Sequence, residues 1–519
     1  MNFLFLIINT SLFKNKELLN DVSDNNYFKL SNDNNSVSLR KRSAYPTTYL
    51  KSEKNNFELG YGLNSNDFEN EFLDLHISQK ELIIKRDIYI TLPLFYSYQN
   101  NKLVLSNSFD FVVSNTEELS LNKLAITESI MPVSDRSNTI YSEINILYER
   151  QIISLDKNGL NLLIPDDFKL PNKLESDSKL FQKILEETFE KFYSKISESN
   201  FAYEVSGGID SSTFPLYMSD KKSVSSTLIS ILFNGTNYTS QQEKLNRIID
   251  ITKLKLLSVQ LNTLKDYPFC QYSKNSANFY NFEEIYYRPN DLSAKILKSN
   301  QIDVLVTGIG GDELFEIKPT DYLYRQYGTE IIEKRQSLEF PPFTKDKFKN
   351  DFVGLVPTEP LLPLPALSFS YLNTCVSRNN IYINQDIWPI SPFANLKLYQ
   401  YSQSLPNIYK ANKNILRVYY EHKGWPKEIY QPQVNENFAE FFDITTTGAG
   451  FENIMIKYLS HSTLQKMDYI DIDQLFKYYL NLKNSRDLTK KWLFNIYSLL
   501  ALEINIINLK KENKLTITN

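Results

Sequence analysis

Cysteine is nearly missing from this chain: Cys270 and Cys375 are the only two in 519 residues, far apart and in no metal-ligand spacing. That excludes a disulfide framework and a cysteine-built zinc site, and it makes a reducing cytoplasm the expected compartment. A surplus of basic charge is missing as well. Lys and Arg number 57 against 61 Asp and Glu, a net charge of -4, so there is no general basic field to hold nucleic acid, although local basic pockets stay open. No apolar run approaches the roughly 20 residues that cross a bilayer, so no stable membrane insertion is expected. The apolar start, residues 3–8, has no basic residue before it and no small-residue cleavage site after it, and reads as a buried first strand rather than a signal peptide. The three histidines, His76, His422 and His461, are scattered, and none is assigned a role.

What is present suits a folded protein of two domains. A 42% hydrophobic and 23% charged composition is ordinary for a globular chain, and the length exceeds what one core supports. Residues 1–170 carry short apolar or alternating runs (3–8, 81–84, 88–95, 103–105, 151–155) between Asn, Ser and Asp clusters, which predicts a β-rich domain with long loops in 15–41. A linker over 165–178 separates it from residues 171–519. There, apolar positions at helical spacing predict an amphipathic helix over 179–197. Strands are predicted at 201–205, 226–233, 256–261 and 302–306, with helices from about Ser211 and over 241–251. Alternating strands and helices predict an α/β fold, a doubly wound parallel sheet, with a helical extension beyond Gln326.

Two strings carry the chemistry. Ser206-Gly207-Gly208-Ile209-Asp210-Ser211-Ser212 lies where a parallel strand ends and a helix begins, the place where open α/β sheets bind ligands. Its glycines let backbone approach a phosphate, the helix start offers free N–H groups, and three hydroxyls add donors. Asp210 is a poor neighbour for phosphate by itself but suits a bridging Mg2+. The plain alternative for a lone Ser-Gly-Gly is a polar turn with a capping serine. The second string, Thr307-Gly308-Ile309-Gly310-Gly311-Asp312-Glu313-Leu314-Phe315, follows strand 302–306 in the same manner. Asp210 and Asp312 are expected to be paired Mg2+ ligands, whereas Glu313 could equally be an acid favoured at a helix start.

In this order and at this separation, the two strings resemble the asparagine-synthetase-type amide ligases of the PP-loop ATP pyrophosphatase superfamily. Arg86-Asp87, Pro93-Leu94-Phe95-Tyr96 and Leu103-Val104-Leu105-Ser106 look like that family's N-terminal amidotransferase-like (Ntn-type) domain. Residues 390–393, 405–406 and 414–417 look like its C-terminal helical region. The resemblance implies ATP-dependent adenylation of a carboxylate, with AMP and pyrophosphate formed, followed by amine attack. ATP and Mg2+ are the implied cofactors, and Phe233 with Asn234 falls where the family contacts adenine.

The chain departs from the family in three places. Glutamine-hydrolysing members use a cysteine that here is Asn2, so glutamine is not the expected nitrogen source. Ile309 stands where β-lactam synthetases have a tyrosine and asparagine synthetases a glutamate. The Gly310-Gly311-Asp312 form is similar to that of lasso-peptide cyclases, which join a peptide's N-terminal amine to an Asp or Glu side chain. Finally, residues 426–438 lack the family's lysine in the expected half, and Lys427 lies too early. A slipped alignment, a substitute cation such as Lys413, and slow pyrophosphate release are the alternatives.

The expected activity is therefore macrolactam closure on a precursor peptide, alongside a leader peptidase and a leader-binding protein that the resemblance implies. The alternatives are an ammonia-dependent asparagine synthetase, a small-molecule lactam synthetase, and a non-catalytic binding homologue. Asp312, Glu313 and Lys413 are the candidate catalytic residues. Ser206, Gly207, Gly208, Asp210, Ser211, Ser212, Phe233, Gly308, Gly310 and Gly311 are the candidate nucleotide contacts. The 34 tyrosines and 33 phenylalanines could line a peptide groove, but core packing accounts for most of them.

Overall fold

A computed structural model describes residues 3–14, 20–21, 27–31, 36–40, 47–53, 56–62, 71–78, 80–86, 94–131, 139–147, 151–163, 177–219, 226–271, 285–315, 329–355, 369–432, 438–484, 491–511 and 515–516. Asn2, Asp87 and most of the expected linker lie outside these residues. So do 88–93 of the expected strand 88–95; the strand that is described there starts at Phe95.

Two antiparallel sheets occupy the N-terminal part. One has seven strands, with Phe3–Asn9 between Lys102–Ser106 and Ser36–Arg40. The other has six, running from Gly159–Leu163 at one edge to Thr47–Glu53 at the other. Alternation along the strands decides which face goes where. Leu103 and Leu105 join Leu6, Ile8, Leu82, Ile84, Ile153 and Leu155 in one core. Val104, between them in sequence, turns to a second core with Phe95, Val112, Ile126 and residues of the C-terminal helices. Strand Lys102–Ser106 is thus buried on both faces. Its second face is covered partly by Phe109–Asn115 and Lys123–Ile130, two helices that the strand-like patterning of this region does not announce. Each starts on a side-chain cap, with Ser108 accepting from the Phe111 N–H and Asn122 from the Ala125 N–H. A buried ion pair ties this layer to the rest of the chain: Arg335 meets Glu128 at 2.5 Å and donates to the Phe352 and Leu355 carbonyls.

A further sheet is parallel, in the order Leu256–Leu261, Ser226–Phe233, Phe201–Glu204, Val304–Val306, Trp388–Ile390. Its inner strands are nearly continuous apolar runs, as burial on both faces requires. Ser178–Ile196 packs Phe181, Leu185, Phe189 and Ile196 into its core. From the central strand Phe201–Glu204 the chain steps outward twice on one side, then returns to Val304–Val306 on the other. The order therefore reverses between these two neighbours, and a crevice at the carboxyl ends of the strands is what that reversal creates. Trp388–Ile390 adds a fifth strand where the sequence suggested only helix, and Tyr287–Ser299 is a helix outside the sequence expectation. The result is a mixed α/β molecule. Among the described residues no helix is long and apolar enough to cross a membrane.

Candidate active site

Both glycine strings sit at the switch point, one on each of the two neighbouring strands. In the first, Gly207 takes φ +92°, a left-handed turn that suits glycine and lets the chain reverse from strand to helix Ile209–Met218. The loop is closed by its own hydroxyls. The Ser206 N–H donates to Ser211 Oγ at 3.1 Å, the Gly208 N–H donates to Ser206 Oγ at 3.2 Å, and the Ser206 and Ser211 hydroxyls lie 3.1 Å apart. Ser212 is fully buried, and its hydroxyl donates to the Gly208 carbonyl at 2.7 Å. That bond leaves Ser206 and Ser211 as the hydroxyls at the loop's mouth.

The second string turns at Gly310, φ +100°, into the short helix Gly311–Phe315. Glu313 accepts from the Gly310 N–H at 3.1 Å, so its carboxylate closes its own helix start. Thr307 and Ser391, at the ends of adjacent strands, share a hydrogen bond of 2.8 Å.

The two loops touch, and glycine makes this possible. A Cβ on Gly308 would fall 2.5 Å from the Ser211 nitrogen, and one on Gly311 would fall 2.5 Å from Cγ of Asp210. Any side chain at either position would force the loops apart. With glycines there, Asp210 and Asp312 converge on one ammonium: Lys413 Nζ forms ion pairs with Asp210 Oδ2 and with Asp312 Oδ1. Lys413 thus lies at the site although it is 101 residues beyond Asp312 in the sequence.

Local backbone and a helix deliver Lys413. Asn412 and Lys413 both adopt left-handed φ, +52° and +56°, between helices Asn407–Lys410 and Asn414–Lys423. Such a conformation for two consecutive non-glycine residues costs roughly 1–3 kcal/mol each and persists only where the surroundings impose it. Arg417 donates from Nε to the Asn412 carbonyl at 2.6 Å. One turn further, the Tyr420 hydroxyl donates to the Ile209 carbonyl at 2.8 Å and lies 3.1 Å from Thr213 Oγ1. The helix is thereby bolted to the first turn of the loop's own helix. Tyr420 is absent from the candidate residues above; its signal is the spacing 413, 417, 420, one helical face.

Burial dominates the electrostatics. It pushes the Asp210 carboxyl up to about 7, against the pull of the Lys413 ammonium and with the neighbouring Asp312 adding to the rise. Burial acts to lower Lys413, but the two carboxylates outweigh it and hold the ammonium above the usual lysine range. Burial lowers Arg417, and Asp210 partly offsets this. Asp210 Oδ1 is buried without a hydrogen-bond partner among the described residues. The two acids differ in access, with Asp312 46% exposed and Asp210 16%.

Phe233 ends its strand beside the first loop's strand, but its ring is buried against Phe438 and Phe441. Only its backbone is left for a ligand at the strand end. Asn234 is exposed and accepts from Gln260 Nε2 at 3.3 Å. The next turn is held from outside, by Glu440 accepting from the Thr236 N–H and hydroxyl. Ile309 is partly buried and packs against the main core. Part of the run 426–438, residues 433–437, lies outside the described residues.

No family model matches the chain. No curated protein matches it in sequence. Among solved structures, similar ones include the U34-tRNA thiolase NcsA from Methanococcus maripaludis, at 14% identity and TM-score 0.26 over 60% of this chain and 81% of that one. NMN synthetase from Francisella tularensis is 10% identical, with TM-score 0.26 over 66% of this chain and 99% of that one. The NH3-dependent NAD synthetase from Campylobacter jejuni is 15% identical, with TM-score 0.20 over 40% and 96%. Likenesses this slight carry no argument about the chemistry, which rests on the loops, the carboxylates and Lys413.

Proposed function

We propose that the chain binds ATP with Mg2+ across the two loops and uses it to form an amide bond, by adenylating a carboxylate and releasing pyrophosphate. One observation carries this reading: two glycine turns from neighbouring parallel strands meet at the switch point and turn two carboxylates onto one cation.

Mg2+ fits the residues present. Carboxylate oxygens are the hard donors it prefers, and Asp210 Oδ1 is buried with no hydrogen-bond partner among the described residues. Among those residues no group of three or more His, Cys, Asp or Glu could hold a metal alone, so Asp210 and Asp312 would hold it together with oxygens of the nucleotide or solvent. When bound, the metal neutralises charge on the phosphates.

The chain's own residues do the rest. The start of helix Ile209–Met218 and the Ser206 and Ser211 hydroxyls orient phosphate oxygens. Lys413 and Arg417 supply positive charge for the departing pyrophosphate, a preorganised electrostatic contribution. The attacking amine comes from the substrate. Ile309, an apolar packing residue, supplies no base. Ile309 and the Gly310-Gly311-Asp312 form favour a macrolactam on a precursor peptide, with a peptidase and a leader-binding protein as partners, over an ammonia-dependent synthetase. The test is product identity: with ATP and peptides bearing Asp or Glu, AMP and pyrophosphate are expected, and ADP would overturn the adenylation reading.

A further inference from the structure

We infer that Lys413 is a built-in placeholder for the divalent cation, holding the two carboxylates together until metal enters and then turning to the phosphate side. The second half of this statement rests on the nucleotide reading; the first half does not.

Lys413 Nζ bridges one oxygen of each carboxylate, and these are the two acids that would hold the metal. An ammonium and a divalent cation cannot share them, because at that separation their repulsion in a partly buried site exceeds what either gains. Without any cation the two acids would face each other across touching loops, with Asp210 already desolvated. The lysine therefore has a structural task in the metal-free chain and an unavoidable displacement when metal binds. Lysine suits both: a compact charge with three donors, on a flexible four-carbon stem.

The backbone beneath it is anchored, so the exchange needs only side-chain rotation. The turn carrying Lys413 is fixed by Arg417 on the Asn412 carbonyl, and its helix is fixed by Tyr420 on the Ile209 carbonyl. Lys413 itself sits at the N-terminal cap of helix Asn414–Lys423 with left-handed backbone, and its ammonium meets the acids of both loops. Once released, the ammonium stays within reach of an anion held on those loops. Among the other charged groups, Arg417, one turn further along, feels the charge of Asp210. Glu313 is engaged with the Gly310 N–H.

The test uses Mn2+ as the metal probe on the full chain without nucleotide, followed by electron paramagnetic resonance or calorimetry. Lys413→Met is expected to bind Mn2+ about tenfold tighter or better than the natural chain, because the internal competitor is gone. Lys413→Arg, which keeps the charge, is expected to stay weak. Equal or weaker Mn2+ binding in Lys413→Met would overturn the inference. A second measurement needs no variant: acetylation of the Lys413 amine, read by mass spectrometry, should be slow in the metal-free chain and faster with Mn2+. Protection should return when ATP is added with Mn2+. A rate that Mn2+ leaves unchanged would contradict the exchange. If Mn2+ accelerates acetylation but ATP neither binds nor restores protection, the placeholder stands and the nucleotide reading fails.

Discussion

The two glycine loops look alike in sequence and differ in physical character. The first, residues 206–212, is finished internally: serine hydroxyls satisfy its backbone, Ser212 is fully buried, and Asp210 is desolvated. The second, residues 307–315, is more open. Asp312 is nearly half exposed, and Glu313 spends its carboxylate on a local N–H. One carboxylate is buried and costly to ionise, and its partner is open to solvent.

The largest test of that asymmetry compares the two acids. Asp210→Asn is expected to cut ATP turnover by about 100-fold or more, with the fold retained, whereas Asp312→Asn should cost nearer to tenfold, since its partial exposure leaves room for water to take its place. Steady-state pyrophosphate release, with circular dichroism as the folding check, measures both. Equal losses would erase the distinction between the loops.

The next test strikes the contact between them. Gly308→Ala places a methyl 2.5 Å from the Ser211 nitrogen, where backbone must move rather than a flexible side chain. A stability loss of roughly 1–3 kcal/mol is expected from such overpacking, together with weaker ATP binding. Gly354→Ala, where the added Cβ meets nothing within 4 Å, is the control. Chemical denaturation of the two variants should separate them, and equal midpoints would show that the loops do not touch in solution.

The smallest expected effect is on pH. Burial raises the Asp210 carboxyl from 3.8 to about 7, so between those values the folded chain holds a proton that the unfolded chain has lost. Its contribution to stability is therefore largest at low pH and is lost as pH rises through that window. Metal affinity should climb over the same range, because only the ionised carboxylate is a ligand. Melting of the metal-free chain between about pH 5 and about pH 7.5 should show the natural protein losing ground against Asp210→Asn. Parallel curves would mean that Asp210 is solvated.

Much of the parallel sheet was legible because its strands are short, continuous and apolar, and because each glycine turn directly follows one. Strands Ser226–Phe233 and Leu256–Leu261 fall where their patterns put them. Trp388–Ile390 was hidden: three residues flanked by helices carry no periodicity, and only pairing with Val304–Val306 makes them a strand. The helices at 109–115 and 123–130 were hidden in the same way, too short for a clear period beside alternating strands. Within the site, Asp210 and Asp312 could be paired on paper. Their distance, their difference in exposure and the bridging position of Lys413 could not, because all three depend on where a helix a hundred residues away is anchored. Phe233 shows the converse, since its strand-end position was readable while the burial of its ring against Phe438 and Phe441 was not.

The most direct measurement is calorimetric titration of the full chain with ATP and Mg2+, set beside Asp210→Asn. A single saturable site in the natural chain, weakened about tenfold or more by the substitution, is the predicted result. A folded natural chain that binds no nucleotide, or a variant that binds it equally well, would contradict the assignment of the two loops as one ATP site.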